Sequence, residues 1–228
     1  MAKKETTCVL IPLYNESRTI AGIIEALKKR GLPVYVIDDG STDDTGVIAK
    51  RAGAVVLTHE RNKGKGASLR EGFRHILKDG YESVIVMDGD GQHHHEDLDN
   101  FFRKVGETKA DIIIGNRMLD TSKMPVTRFL TNKFMSYLIS KLTGQYIPDT
   151  QCGFRMIQRH VLERVHLVSS NYETESELLF RAAKKNFRIE SVAIRTIYGD
   201  ETSQIHPVRD TWRFVLLLVR IMRERSAG

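Results

Sequence analysis

Short apolar runs alternate with longer amphipathic stretches through the first half of the chain. The run at 7–13 reads as a buried strand, and apolar positions at helical spacing from about Thr19 to Arg30 predict the helix that follows. Val34 to Ile37 predicts a second strand, ending in Asp38, Asp39, Gly40 and Ser41. A helix then starts near Asp43, and Ala54 to Leu57 predicts a third strand after Gly53. Lys65 to Leu77 is helical in pattern, Ser83 to Met87 is a fourth strand, Glu96 to Val105 a helix, and Ile112 to Ile114 a fifth strand. Such alternation predicts right-handed crossovers and an α/β fold whose mainly parallel central sheet is flanked by helices. Ligands of such sheets bind beyond the carboxyl ends of the strands. Asn15 and Glu16, Asp38 and Asp39, Asp88 and Asp90, and Asn116 and Arg117 all fall at strand ends, so one crevice can gather them.

The second half changes character. Pro125 to Leu142 suits a helix, Phe154 to Ile157 a short apolar segment, Thr174 to Lys185 a helix and Ile189 to Ile194 a strand. A last helix can begin at Pro207. Within it, the apolar run Phe214 to Val219 lies between Arg213 and Arg220 and is far short of the roughly 20 residues that span a bilayer. Residues 207–224 therefore predict an amphipathic or interface helix, lying at a lipid surface, packed on the body or in a dimer contact. The stretch from Arg128 to Leu142 has similar mixed character. No linker or repeat divides the 228 residues, and a single domain over 1–228 is expected.

A net charge of +6 leaves a basic surface suited to phosphates or acidic lipid. The basic residues are distributed without an aromatic-lined single-strand motif, which argues against nucleic acid as a partner. Cys8 and Cys152 show no paired spacing and read as buried thiols in a reducing compartment. The apolar run near the N-terminus is broken at Pro12 and Asn15, so neither a signal peptide nor a spanning helix starts there. The expected location is cytoplasmic, peripheral on the cytoplasmic face of a membrane.

The richest chemistry follows the fourth strand, in Val-Ile-Val-Met-Asp-Gly-Asp-Gly-Gln at 84–92. Asp88 and Asp90, two apart on an extended chain, project to one side and can hold a hard divalent cation through oxygens, with Gln92 completing the set. Lys63, Gly64, Lys65 and Gly66 form a glycine-rich turn into a helix, where N–H groups and ammonium ions can face phosphate, although the spacing is not a Walker loop. Arg117 offers a planar fork for pyrophosphate at the sheet edge. His93, His94 and His95 are consecutive, and adjacent side chains on a turn seldom converge on one ion, so a solvated loop is expected.

Placed in order, these residues resemble the family 2 glycosyltransferases, in particular the branch of dolichol-phosphate mannose synthases and related polyprenyl-phosphate glycosyltransferases. The resemblance spans about residues 7–205. It rests on Ile-Pro-Leu-Tyr-Asn-Glu at 11–16, Ile-Asp-Asp-Gly-Ser-Thr-Asp at 37–43, Arg-Asn-Lys-Gly-Lys-Gly-Ala at 61–67, Asp88-Gly-Asp90-Gly-Gln92, Gly-Asn-Arg at 115–117 and Asp-Thr-Gln-Cys-Gly-Phe at 149–154. It implies a GT-A fold, a nucleotide-diphosphate sugar as donor, a Mg²⁺ or Mn²⁺ ion as cofactor and inversion at the anomeric carbon. By the same resemblance Pro12, Tyr14 and Glu16 surround the nucleoside, Asp39 contacts base or ribose, and Asp88, Asp90 and Gln92 hold the metal. Lys65, Gly89 and Arg117 join the donor site. Asp38 is left outside it as a turn or cap residue. His94 and His95 stand where the family commonly has prolines.

Inversion needs a nucleophile opposite the leaving group, and the acceptor decides what the protein must supply. A hydroxyl needs a positioned carboxylate, for which Asp149 and Glu175 are the candidates beside Asp90 and Arg117 in the catalytic set. Glu175 and Glu177, two apart on a helix, point in different directions, so at most one faces the site. A polyprenyl phosphate is largely ionised at neutral pH and needs cations instead. Arg117, Arg128, Lys133, Arg195 and Arg209 are candidates, with Ser203 in the loop at 199–203, although Gln204 replaces the basic residue usual after it. Transfer from GDP-mannose or a UDP-hexose to dolichyl or undecaprenyl phosphate is the preferred reading. A hydroxyl acceptor and a non-catalytic nucleotide-sugar-binding membrane subunit are the alternatives, and a homo-oligomer is possible.

Overall fold

The computed structural model describes residues 4–122, 124–171 and 173–197. Its strands are β1 (Thr7–Leu13), β2 (Val34–Asp38), β3 (Val55–Thr58), β4 (Ser83–Val86), β5 (Ile112–Asn116), β6 (Arg155–Gln158) and β7 (Ile189–Ala193). The helices are α1 (Ile20–Lys29), α2 (Thr45–Arg51), α3 (Lys65–Lys78), α4 (Leu98–Thr108), α5 (Val126–Thr143), α6 (Arg159–Arg164) and α7 (Glu173–Lys184), with a 3₁₀ turn at His95–Asp97 before α4. The strands form one sheet in the order β3-β2-β1-β4-β6-β5-β7. Every neighbouring pair is parallel except those of β6, which runs antiparallel to β4 and to β5.

The continuous apolar runs that predicted buried strands behave as expected, since every residue of β2, β4 and β5 is buried. A strand covered on both faces has no solvated side to alternate with, which is why these runs lack period two. β3, at one edge, carries Val55 exposed instead. The apolar faces of α1 (Ile20, Ile24, Leu27) and α4 (Leu98, Phe101, Val105) close on the sheet to give one continuous core.

Three departures from the sequence reading have simple causes. The helix expected from near Asp43 begins at Thr45, because Asp43 turns its carboxylate onto the Thr45 N–H at 3.0 Å. α6 follows β6 without a spacer, too short a helix to show periodicity. The expected helix over Glu96 to Val105 divides at Asp97, whose carboxylate is drawn to Arg195. Both thiols are free and buried, as expected. Ser203, Arg209 and the helix proposed over 207–224 lie outside the described residues. Among the described residues no helix is long and apolar enough to cross a membrane.

Candidate active site

The carboxyl ends of β1 and β2 are bound to each other by polar side chains. Asn15 adopts a left-handed conformation (φ 58°), accepts the Thr42 N–H at 2.8 Å and donates its own backbone N–H to Ser41 Oγ at 3.0 Å. Glu16 donates its N–H to Thr45 Oγ1 at 2.8 Å, so the turn after β1 and the start of α2 move as one. Pro12 and Tyr14 are partly buried beside them. Asp38 accepts the Ser41 N–H at 2.9 Å, the turn role expected of it. Asp39 is buried and accepts N–H groups from Lys63 (2.9 Å) and Gly64 (2.8 Å), which fixes the glycine-rich turn against the end of β2. Gly64 sits at φ 92° with the Ser170 carbonyl against its Cα, so a side chain would be strained and crowded there.

That turn aims Lys65, the first residue of α3, at the carboxylates. Its Nζ lies 2.5 Å from Asp88 Oδ1 and 2.7 Å from Glu175 Oε1, one ammonium shared between the end of β4 and the first turn of α7. Burial opposes the charge on Lys65, but the two carboxylates outweigh it and hold its pKa above the usual lysine range. Burial likewise works against ionised Asp88, and Lys65 with His93 overcomes it, so the Asp88 carboxyl is held well below its ordinary value. His93 is buried, with Nε2 3.3 Å from Asp88 Oδ2 and its ring 5.1 Å from that of Phe154. The solvated-loop expectation therefore fails at His93, while His94 and His95 stack on each other, partly exposed. A Cβ on Gly153 would run into the Asp88 carboxylate, so this glycine in the 149–154 segment makes room for Asp88. Asp90 accepts the Gln92 N–H at 2.9 Å, and burial together with the charge of Asp88 raises its pKa. The Gly89 carbonyl accepts from Thr19 Oγ1 at 2.5 Å, tying this segment to the start of α1.

A second ion pair closes the far side. Arg117 donates through Nε to Asp149 Oδ2 (2.7 Å) and through Nη2 to Oδ1 (2.9 Å), with Asp149 fully buried and Arg117 4% exposed. Burial penalises both charges, yet each outweighs the penalty on the other: the Asp149 carboxyl is lowered and the Arg117 guanidinium raised. The fork anticipated for pyrophosphate is thus turned onto Asp149. Arg155, buried in β6, donates to the carbonyls of Cys152 (2.7 Å), Thr150 (2.8 Å) and Glu175 (2.6 Å), and so fixes the 149–154 segment against α7. Sequence reasoning missed Arg155 and His93, although an arginine inside an apolar strand was a signal of buried polar work. Glu177 faces away from Lys65, accepting the Ser169 N–H (2.9 Å) and Arg181 Nε (2.6 Å). Only Glu175 of the two faces the site, as their spacing required.

Of the candidate acceptor cations, Arg195 is held by Asp97 (Nε to Oδ1, 3.0 Å) and Glu96 (Nη2 to Oε2, 3.1 Å). Lys133 is exposed on α5, its Nζ 5.5 Å from the centroid of the Phe129 ring. Arg128 is partly buried one turn before Asn132, whose buried amide nitrogen lacks a hydrogen-bond partner.

The sequence pattern of glycosyl transferase family 2 matches residues 8–165. The chain belongs to that family. Among family 2 relatives, it is 28% identical over 215 residues to a UDP-N-acetylglucosamine–dolichyl-phosphate N-acetylglucosaminyltransferase of Methanococcus voltae, covering 84% of this chain and 86% of that one. It is 31% identical over 204 residues to a polyprenol monophosphomannose synthase of Mycolicibacterium smegmatis, covering 83% and 77%. In three dimensions it resembles glucosyl-3-phosphoglycerate synthase from Mycobacterium tuberculosis, solved with Mn²⁺, uridine diphosphate and phosphoglyceric acid, with a TM-score of 0.65 at 20% identity over 87% of this chain and 72% of that one. The fold is that of the GT-A glycosyltransferases, and the chain is a family 2 hexosyltransferase.

Proposed function

We propose that this glycosyltransferase moves a hexose from a nucleotide-diphosphate sugar, GDP-mannose or a UDP-hexose, to a polyprenyl phosphate, with inversion and with Mg²⁺ or Mn²⁺ as cofactor. The observation that carries this reading is the charge balance of the crevice. Glu175 and Asp88 share the Lys65 ammonium, and Asp149 is locked in both oxygens to Arg117. A hydroxyl acceptor would need a carboxylate free to take its proton. The two candidates for that role, Asp149 and Glu175, are each paired to a cation. A phosphate monoester, with its second pKa near 6, arrives already ionised and asks nothing of them. The names of the dolichyl-phosphate and polyprenol relatives point the same way.

The residues at Asp88 fit a hard cation. Two carboxylates and a carboxamide at the end of β4 are oxygen donors of the right type, and burial with the charge of Asp88 raises the Asp90 pKa despite the Gln92 N–H and the nearby His93 and Lys65, a rise that a bound cation would oppose. Among the described residues no three His, Cys, Asp or Glu are arranged to enclose an ion, so the remaining ligands would come from the donor diphosphate. When bound, the ion neutralises charge that grows on the leaving diphosphate. Lys65 and His93 keep Asp88 ionised and oriented for that contact, and Arg117 holds Asp149 and the 149–154 segment beside it. Pro12, Tyr14, Glu16 and Asp39 form the nucleoside side. Arg128 and Asn132, on the inner side of α5, are the cation and donor pair offered to the acceptor phosphate, and Lys133 is a further cation on the exposed side of the same helix.

A lipid acceptor places the enzyme at a membrane surface. α5 exposes Val126 (72%), Leu130 (58%), Phe134 (52%) and Tyr137 (63%) along one side, with Lys133 among them. This side would lie at the headgroups.

The test is nucleotide release from a panel of GDP- and UDP-sugars with Mn²⁺, with and without a short polyprenyl phosphate, and mass spectrometry of the product. Turnover that needs the lipid phosphate and yields one glycolipid is expected. Turnover onto a soluble hydroxyl without it would replace this reading with a hydroxyl acceptor, and donor binding without turnover would leave a non-catalytic subunit.

A further inference from the structure

His59, in the segment between β3 and α3, is not used by the chemistry above, yet it is 5% exposed and held between two carboxylates. Its Nδ1 lies 2.6 Å from Asp39 Oδ1 and its Nε2 2.8 Å from Glu71 Oε2 on α3. A neutral imidazole has one N–H and one lone pair, so it can satisfy one carboxylate only. The other nitrogen would then set its lone pair against carboxylate oxygen at hydrogen-bonding distance. The proton that removes this conflict has no place on Asp39, because Oδ1 accepts the Lys63 N–H and Oδ2 the Gly64 N–H. Nor does it belong to Glu71, whose carboxyl the His59 hydrogen bond holds below the usual range against burial, with Lys63 and Arg74 adding to the effect. The backbone N–H of His59 is spent on the Asp38 carbonyl at 2.9 Å.

We propose that His59 carries hydrogen on both ring nitrogens and is the positioning residue of Asp39, fixing the carboxylate that the nucleoside contacts; the inference rests on the nucleoside reading of Asp39 given above. A carboxylate has about four lone-pair sites, and His59, Lys63 and Gly64 occupy three, which leaves one on Oδ2 for a donor on the ligand. The same contacts hold the turn that aims Lys65, so loss of either His59 bond loosens both ends of the donor site. Both bonds need a hydrogen on each ring nitrogen.

Nitrogen-resolved imidazole spectra of the full chain at neutral pH are expected to show two protonated ring nitrogens for His59, assigned by comparison with His59→Asn. A ring with one protonated nitrogen overturns the proposal, and this measurement needs no variant to be active. Calorimetric binding of uridine diphosphate and guanosine diphosphate then reads the positioning role. His59→Asn, whose amide takes the place of Nδ1, should bind within a few-fold of the parent. His59→Gln, whose amide reaches toward Glu71, should lose about tenfold. Equal loss in the two variants, with melting curves showing both folded, would overturn the positioning role. Unchanged binding in Asp39→Asn would refute the nucleoside reading itself, and is distinguishable because the His59 spectrum of the parent still reports the bridge.

Discussion

Asp90 is a carboxylate whose surroundings work against its charge. Burial and then the charge of Asp88 raise its pKa, while the Gln92 N–H opposes the rise. A carboxyl whose folded pKa lies above its unfolded value contributes stability below the unfolded pKa, and that contribution is lost as pH rises through the folded value. Above the folded value, without metal, ionised Asp90 therefore strains the fold. Asp90→Asn is expected to raise the metal-free melting temperature by about 2–4 °C, the equivalent of about 1 kcal/mol in a chain of this size. The same change should cost turnover about 10³-fold, because the proposed ion loses a ligand. Melting in EDTA and initial rates with Mn²⁺ check the two parts, and a variant with full activity would sink the metal role of Asp90. The Arg117–Asp149 pair behaves oppositely. Removing one partner from this buried, doubly bonded pair should cost about 3–5 kcal/mol. Because the Asp149 carboxyl is lowered, its stabilisation is present above the unfolded pKa and lost as pH falls through the folded one. Asp149→Asn should thus melt well below the parent at neutral pH, with the difference narrowing in acid. At this scale the sequence disclosed acidic groups better than their partners. Asp88, Asp90 and Glu175 stand out by spacing, but the sharing of Lys65 between residues 88 and 175 depends on tertiary approach, as does the burial of His93 and Arg155.

α7 shows what a helix adds to a pair of identical residues. Glu175 and Glu177 lie two apart and so leave the helix in different directions, Glu175 toward Lys65 and Glu177 toward the 168–169 segment and Arg181. Glu177→Gln removes a fully buried charge from two backbone N–H groups and an arginine, and should cost about 2–3 kcal/mol of stability with little change in kcat per folded molecule. Glu175→Gln leaves Lys65 with Asp88 alone, and should change the metal and donor KM more than the melting temperature. Thermal melts beside steady-state kinetics separate the two, and a Glu177 variant defective in kcat at full stability would reverse the assignment. The helices and parallel strands behind this arrangement were legible because their apolar positions repeat at helical spacing or run continuously over strand length. The direction of β6 was not. Four residues, Arg155 to Gln158, carry no sign of parallel or antiparallel pairing, which the path of the chain after α5 decides. For the same reason the order β4-β6-β5-β7, which brings Arg155 beside α7, could not be read from the element list.

Across the whole molecule, α5 joins the crevice to the surface. Its inner side is tied to the 149–154 segment, with Ser136 Oγ accepting the Thr150 N–H at 3.0 Å, and carries Arg128 and Asn132 one turn apart. Its outer side carries Val126, Leu130, Phe134 and Tyr137 in the open. One helix can therefore hold a phosphate on one side and meet the lipid that bears it on the other, which bears on where the sugar acceptor is collected. Burying a leucine and a phenylalanine side chain is worth about 1.5–3 kcal/mol each. Replacing both, as Leu130→Asp with Phe134→Asp, should weaken binding to vesicles containing anionic lipid by at least about 10²-fold. Both positions are exposed, so the fold should survive the change, and turnover with a short, water-soluble polyprenyl phosphate should stay near that of the parent. Turnover with a long-chain acceptor in vesicles should fall with the binding. Lys133→Glu should act through charge, reducing vesicle binding at low salt and little at high salt, since headgroup attraction is screened within about 10 Å at 0.1 M. Vesicle flotation at two salt concentrations, alongside rates on the two acceptors, distinguishes a lipid face from a protein contact. If the double aspartate variant floats as well as the parent, the outer side of α5 serves another surface and the lipid must be met elsewhere on the chain.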